Sequence, residues 1–192
     1  MQGYLEVLMV SSGGKSYILG ADPGQKGYVA LLKVDGGELG SDHKLLKTPS
    51  KLDSFERKSI DEQALMWMLN DYEFDIIASY IEAQWGRPGG SMQSVFKLGE
   101  NYGKLKAAIH LYCPDGYTEI TPQAWQKVVR EPYEESGFKD KDLSIHVAEL
   151  LFPTVELPKG EKKNLGGRDD NAAEALLIAY YGFLDWSGKL NG

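Results

Sequence analysis

The sequence predicts one α/β domain, a five-stranded mixed sheet flanked by helices. Three observations predict it. Two apolar runs stand at hairpin distance near the start, a third apolar run at 76–82 follows a helical segment, and the C-terminal half alternates a short strand with helices. At 192 residues the chain suits a single core better than two.

Residues 1–15, which include Ser11-Ser12-Gly13-Gly14, read as a flexible N-terminal extension, leaving 16–192 as the domain. Tyr17 to Asp22 is a short strand closed by Pro23-Gly24, and Gly27 to Val34 pairs back as a hairpin. After the Asp35-Gly36-Gly37-Glu38 turn, a weaker third strand is expected near Leu39–Leu46. Ile60 to Leu69 has helical composition and, with Leu65, Trp67 and Leu69, reads as mostly buried. Ile76 to Glu82 is apolar at nearly every position, the habit of a central strand covered on both faces.

From Ser91 to Tyr112 the residues Val95, Leu98, Tyr102, Leu105 and Ile109 recur at helical spacing. Tyr117–Thr121 gives one more strand, and Pro122 opens another helix. Helices near Asp140–Leu151 and Asp169–Asp185 complete the domain, with a mobile loop expected over Glu156–Gly167.

Composition narrows the function. Hydrophobic residues make up 42% and charged residues 26%, as in an ordinary globular protein. A lone cysteine, Cys113, cannot form an internal disulfide, and no secretory leader pattern is present, so a cytoplasmic, non-secreted protein is expected. The longest apolar stretch, Ala172 to Trp186, is interrupted by Glu174, Gly182 and Asp185 and is too short to span a bilayer. A net charge of −7 argues against nonspecific nucleic-acid binding but leaves room for a basic stripe on one face.

The chemistry lies in the acids. Asp22 and Glu82 end two apolar strands, although Asp22 also suits a plain turn. On the last helix, at about 100° per residue, Asp170 and Glu174 share a stripe, and the rest of that helix is apolar almost all round. A buried carboxylate there needs a cationic partner. Asp169 falls on the opposite side, where it reads as a cap or first-turn acid. Carboxylates converging from two strands and a helix suit Mg²⁺ or Mn²⁺, and two such ions support in-line phosphodiester hydrolysis. His43, His110 and His146 are isolated from one another and from Cys113, so zinc is not expected. Gly13-Gly14-Lys15-Ser16 imitates the end of a P-loop, but Met9 stands where a glycine is needed and a strand follows.

Four segments carry a resemblance. Ile18-Leu19-Gly20-Ala21-Asp22-Pro23-Gly24, Tyr80-Ile81-Glu82, Thr121-Pro122-Gln123-Ala124-Trp125-Gln126-Lys127 and Asp169-Asp170-Asn171-Ala172-Ala173-Glu174 resemble the RuvC-like Holliday junction resolvases of the ribonuclease H-like superfamily, particularly the bacteriophage and poxvirus branch. The resemblance runs from about residue 17 to 182. It implies a ribonuclease H-like sheet whose first and fourth strands are parallel neighbours. It further implies a homodimer that nicks branched DNA symmetrically, with Mg²⁺ (or Mn²⁺), two ions in all, held by Asp22, Glu82, Asp170 and Glu174. In many relatives the last-helix acids are three residues apart; here that position is Asn171, so Asp169 stays open as a substitute for Asp170.

The resemblance also marks Trp85 as a residue that wedges against junction bases, with core packing as the alternative. Arg87 and the Pro88-Gly89-Gly90-Ser91 loop follow it. Lys127, Lys139, Lys141, Lys163 and Arg168 are candidate DNA contacts beside the site, with Arg130, Lys159 and Lys162 near them, and Lys127 or Lys141 is a candidate for neutralising transition-state charge. Gly99 and Gly103 permit close helix approach, either to a second copy or to the chain's own sheet. Three other readings stay open: a nuclease cutting RNA–DNA hybrids, a non-catalytic junction-binding protein, and an actin-like nucleotide-binding lobe.

Overall fold

Strand β1 (Ser16–Ala21) is the axis of the molecule, buried from Tyr17 onward. In the computed structural model the described residues are 16–191 without 25, 55, 73, 74, 87, 88, 114 and 161–163. The extension expected over 1–15 lies outside them, as do Arg87, Pro88 and Lys163. On one side β1 pairs antiparallel with β2 (Tyr28–Asp35), and on the other it pairs parallel with β7 (Ile76–Glu82). Strand β8 (Thr118–Ile120) extends the sheet in parallel beyond β7. The sheet runs β3-β2-β1-β7-β8, the mixed arrangement expected.

The edge beyond β2 departs from a single third strand. It is shared by β3 (Glu38–Leu39), which pairs with Val34 and Asp35, and β4 (Lys44–Lys47), which pairs with Tyr28 to Leu31. The break falls at Lys33, whose N–H is taken by the His43 Nδ1 at 3.1 Å and whose carbonyl accepts from Gly40 N–H at 2.9 Å. A side chain thus replaces one rung of the ladder. A second small sheet, not expected from the sequence, pairs β5 (Ser50–Leu52) with β6 (Lys58–Ile60).

Helices cover both faces. One face buries Tyr17, Leu19, Val29 and Leu31 against α1 (Glu62–Asn70) and α2 (Met92–Tyr112). Only Leu65 and Leu69 of α1 are buried; Trp67 points outward, contrary to expectation, because the α1 contact with α2 needs just one stripe. The opposite face buries Ile18, Ala30, Leu32 and Tyr80 against α3 (Pro122–Val129), α4 (Asp140–Leu151) and α5 (Asp170–Trp186). Within 156–167, residues Leu165–Gly167 form a 3-10 turn and Lys159 bridges Arg168.

Two glycines set the distance of α5 from the sheet. A Cβ on Gly20 would stand 2.2 Å from the Ala179 nitrogen, and one on Gly182 would stand 2.3 Å from the Tyr80 ring. The helix therefore lies directly on β1 and β7. By contrast, a Cβ at Gly99 or Gly103 would meet nothing, so these glycines do not seat α2 on its own sheet. Among the described residues no helix is long and apolar enough to cross a membrane.

Candidate active site

Parallel pairing in which Ala21 faces Ile81 brings the ends of β1 and β7 level, so Asp22 and Glu82 emerge side by side. The Gly20 crossing lays α5 over the same strands, and Glu174 arrives beside them from above. Asp22 is only 7% exposed. Its Oδ1 accepts a long hydrogen bond from Gly24 N–H at 3.4 Å, while its Oδ2 is buried with no partner. Burial, then Glu174, then Glu82 push the Asp22 carboxyl up to about 8, against opposing pulls from the Gly24 N–H and Lys141.

Glu82 is better supported. Its Oε2 accepts from the Trp125 indole Nε1–H at 2.7 Å, and its Oε1 from Gln84 Nε2 at 3.2 Å. Burial still raises its pKa, with Trp125 and Arg130 working against the rise. Glu174 is raised by burial and by Glu82, and is moderated by Lys141, Arg130 and the Ser144 hydroxyl, which donates to Oε1 at 3.4 Å. Glu174 keeps partial exposure, whereas the helical pattern leaves it none; it faces the ends of β1 and β7, where no strand continues to cover it.

Asp170, one turn earlier, is the buried member of the helix pair. Lys141 Nζ forms an ion pair with its Oδ2, and Asn164 Nδ2 donates to Oδ1 at 2.7 Å. Asp169 is the N-cap of α5: its Oδ1 accepts from the Asn171 N–H and amide at 3.0 Å each, and its Oδ2 from the Tyr28 hydroxyl at 3.4 Å. Its Oδ1 is committed to that cap and its Oδ2 to Tyr28.

The donor set suits a hard divalent cation, since it is all carboxylate oxygen, and the orphaned Asp22 Oδ2 is an acceptor in want of a charge. As the side chains stand, no group of three or more His, Cys, Asp or Glu among the described residues closes into a coordination shell. Lys141, Trp125 and Ser144 take up lone pairs of Asp170, Glu82 and Glu174 respectively.

No protein-family model matches the chain, and no curated protein sequence does. Among solved structures it superposes on RuvC from T. thermophilus in complex with a Holliday junction substrate, with a TM-score of 0.55 and 16% identity over 91% of this chain and 97% of that one. The fold is that of RuvC. A comparison with the yeast mitochondrial Holliday junction resolvase gives a TM-score of 0.46 and 15% identity over 93% of this chain and 81% of that one.

Around the acids of this RuvC fold, the predicted DNA contacts fall into groups. Trp85 is 60% exposed just beyond β7, which removes the core-packing alternative. Lys127 and Lys139 are exposed on α3 and at the start of α4. Lys141 is occupied by Asp170, and Arg168 is drawn into the fold by Glu149 at 3.5 Å and the Leu157 carbonyl at 3.1 Å. Arg87 and Lys163 lie outside the described residues. The sequence reading gave no role to Trp125, Gln84 or Ser144. The signal was present for Trp125: with Val129, four residues on, it forms the buried stripe of a helix whose remaining residues include Gln123, Gln126 and Lys127.

Proposed function

We propose that the protein is a metal-dependent, structure-selective endodeoxyribonuclease that resolves four-way or otherwise branched DNA junctions. The observation that carries this reading is the meeting of Asp22, Glu82 and Glu174 on a RuvC fold, with one buried Asp22 oxygen lacking any partner. In this reading Asp22, Glu82 and Glu174 hold two Mg²⁺ ions, with Asp170 completing the set once Lys141 lets go. Bound ions supply Lewis acidity to the scissile phosphate and lower the pKa of an attacking water.

The chain's own residues do the positioning. Trp125 and Gln84 fix both oxygens of Glu82, so that carboxylate presents one face to the reaction. Burial and the neighbouring Glu82 raise the Glu174 carboxyl, and Lys141, Arg130 and the Ser144 hydroxyl moderate that rise, so a cation brought beside it favours its charged form. Lys141 lies between Asp170 and the other acids and, when released, offers a cation to the charge that develops on phosphorus-bound oxygens.

Junction preference is supported by Trp85, whose exposed ring can stack on an unpaired base. A homodimer is supported by α2: Met92, Phe96 and Leu111 are exposed, and Gly99 and Gly103 open the same helix to close approach. Purified protein and Asp22→Asn should be incubated with four-way junctions, linear duplex and RNA–DNA hybrid, with and without Mg²⁺. Paired symmetric nicks on the junction alone, lost without metal and in the variant, are expected; no cleavage of any substrate sinks the reading.

A further inference from the structure

The hairpin of β5 and β6 has no apolar core of its own, for β5 is exposed along its length. Polar groups hold it to α2. Asn101 Oδ1 accepts from the Ile60 N–H at 3.0 Å and from Ser59 Oγ at 3.2 Å, while the Asp53 Oδ2 accepts from Lys97 Nζ and Arg57 Nε, both at 3.0 Å. Between hairpin and helix opens a cavity of about 390 Å³ whose lining includes Pro23, Arg57, Lys58, Ser94, Lys97 and Asn101. Pro23 is the residue after Asp22.

The docking bonds use only part of that lining. Lys97 is 7% exposed and Asn101 1%, and the Asn101 Nδ2 has no hydrogen-bond partner. Asn101 Oδ1 meets the Ile60 N–H, whereas its Nδ2 is an unmet buried donor, a cost that bonding to a ligand removes. The lining contains Arg57, Lys58 and Lys97 and no carboxylate; next to it Asp53 pairs with both Arg57 and Lys97, and Glu100 with Lys97. Among the described residues no aromatic ring lines it, so it offers nothing for base stacking. Guanidinium, ammonium, amide and hydroxyl donors suit phosphate oxygens.

We propose that this cavity seats a backbone phosphodiester of the strand held at the acids, a few nucleotides from the phosphate at Asp22. The assignment rests on the reading of those acids as a phosphodiester-cleaving site and adds where the strand is gripped. Such a contact fixes register without reading sequence.

The test uses the full ¹⁵N-labelled chain without divalent metal, titrated with a single-stranded hexanucleotide and separately with inorganic phosphate. The side-chain amide resonance of Asn101 and the backbone amides of Ser94 and Lys97 should move saturably with the hexanucleotide. Lys58→Glu should weaken that binding about tenfold while the α5 resonances of the free variant stay in place. Shifts confined to other regions, insensitivity to Lys58→Glu, or equal binding of inorganic phosphate would overturn the assignment. Junction cleavage, assayed separately, distinguishes the two failures: cleavage without these shifts removes the cavity's role alone, and these shifts without cleavage remove the nuclease reading alone.

Discussion

Trp125 donates its indole N–H to Glu82 across 2.7 Å from a ring with no exposed surface. The bond ties α3 to the end of β7 across 43 residues of chain, so the tryptophan orients a carboxylate from a different segment. Trp125→Phe keeps the aromatic packing and removes the donor. Junction cleavage should fall by roughly 10–100-fold, and the Mg²⁺ concentration for half-maximal rate should rise. Unchanged metal dependence would reduce Trp125 to a packing residue.

Asp22 gives a pH prediction with a definite sign. Its carboxyl is pushed up to about 8 in the fold, whereas an unfolded aspartate titrates near about 4. Between those values the folded chain holds a proton that the unfolded chain has lost, so metal-free stability should fall as pH rises through that window. The contribution is on the order of a few kcal/mol. Thermal melts at pH 5 and pH 8 should show the fall in the wild type and a smaller one in Asp22→Asn. Mg²⁺ should restore the wild type at pH 8 and leave the variant little changed.

Glu174→Gln keeps the shape of the side chain and removes its charge. Cleavage should drop by roughly 10²–10³-fold or more. The metal-free protein should be as stable as the wild type or more so, because a raised, half-buried carboxylate is no longer carried beside Glu82. A variant that loses stability and activity together would place Glu174 in the scaffold.

Gly20→Ala adds one methyl where the α5 backbone already stands, 2.2 Å from the Ala179 nitrogen. The helix must shift or the domain must lose about 1–3 kcal/mol or more. Denaturant melts should show that loss, and any folded fraction should cleave poorly because Glu174 has moved from Asp22.

Trp85→Ala should leave the melting temperature unchanged, since the ring is largely exposed. Junction affinity should fall by about 1–3 kcal/mol if the ring stacks on a base, measured by gel shift in Ca²⁺. Equal loss on linear duplex would remove its role in recognising branches.

The sheet centre was legible because hydrophobic patterning writes it directly: β1, β7 and α5 are apolar runs, with Asp22 just past the first, Glu82 ending the second and Asp170 and Glu174 inside the third. The same patterning overstated the burial of Glu174, since a helical wheel does not show where neighbouring strands stop. It missed β5 and β6 because Asn101 and Asp53 hold that hairpin, and polar pins between distant residues leave no period to read. His43 split the expected third strand through a side-chain bond that strand propensity does not encode. Trp125 and Glu82 lie 43 residues apart, so their bond needed the fold before it could be seen.

The glycine seam beneath α5 carries one more consequence. With Gly20 and Gly182 pressed against backbone and ring, the helix that bears Glu174 has no room to slide or tilt over the strand that ends at Asp22. On the proposed reading this seam makes the acid site the stiff partner, and a nucleic acid substrate does the bending. Selectivity then becomes a question of the nucleic acid's own pliability: a branch point, already unstacked, conforms at less cost than a continuous duplex.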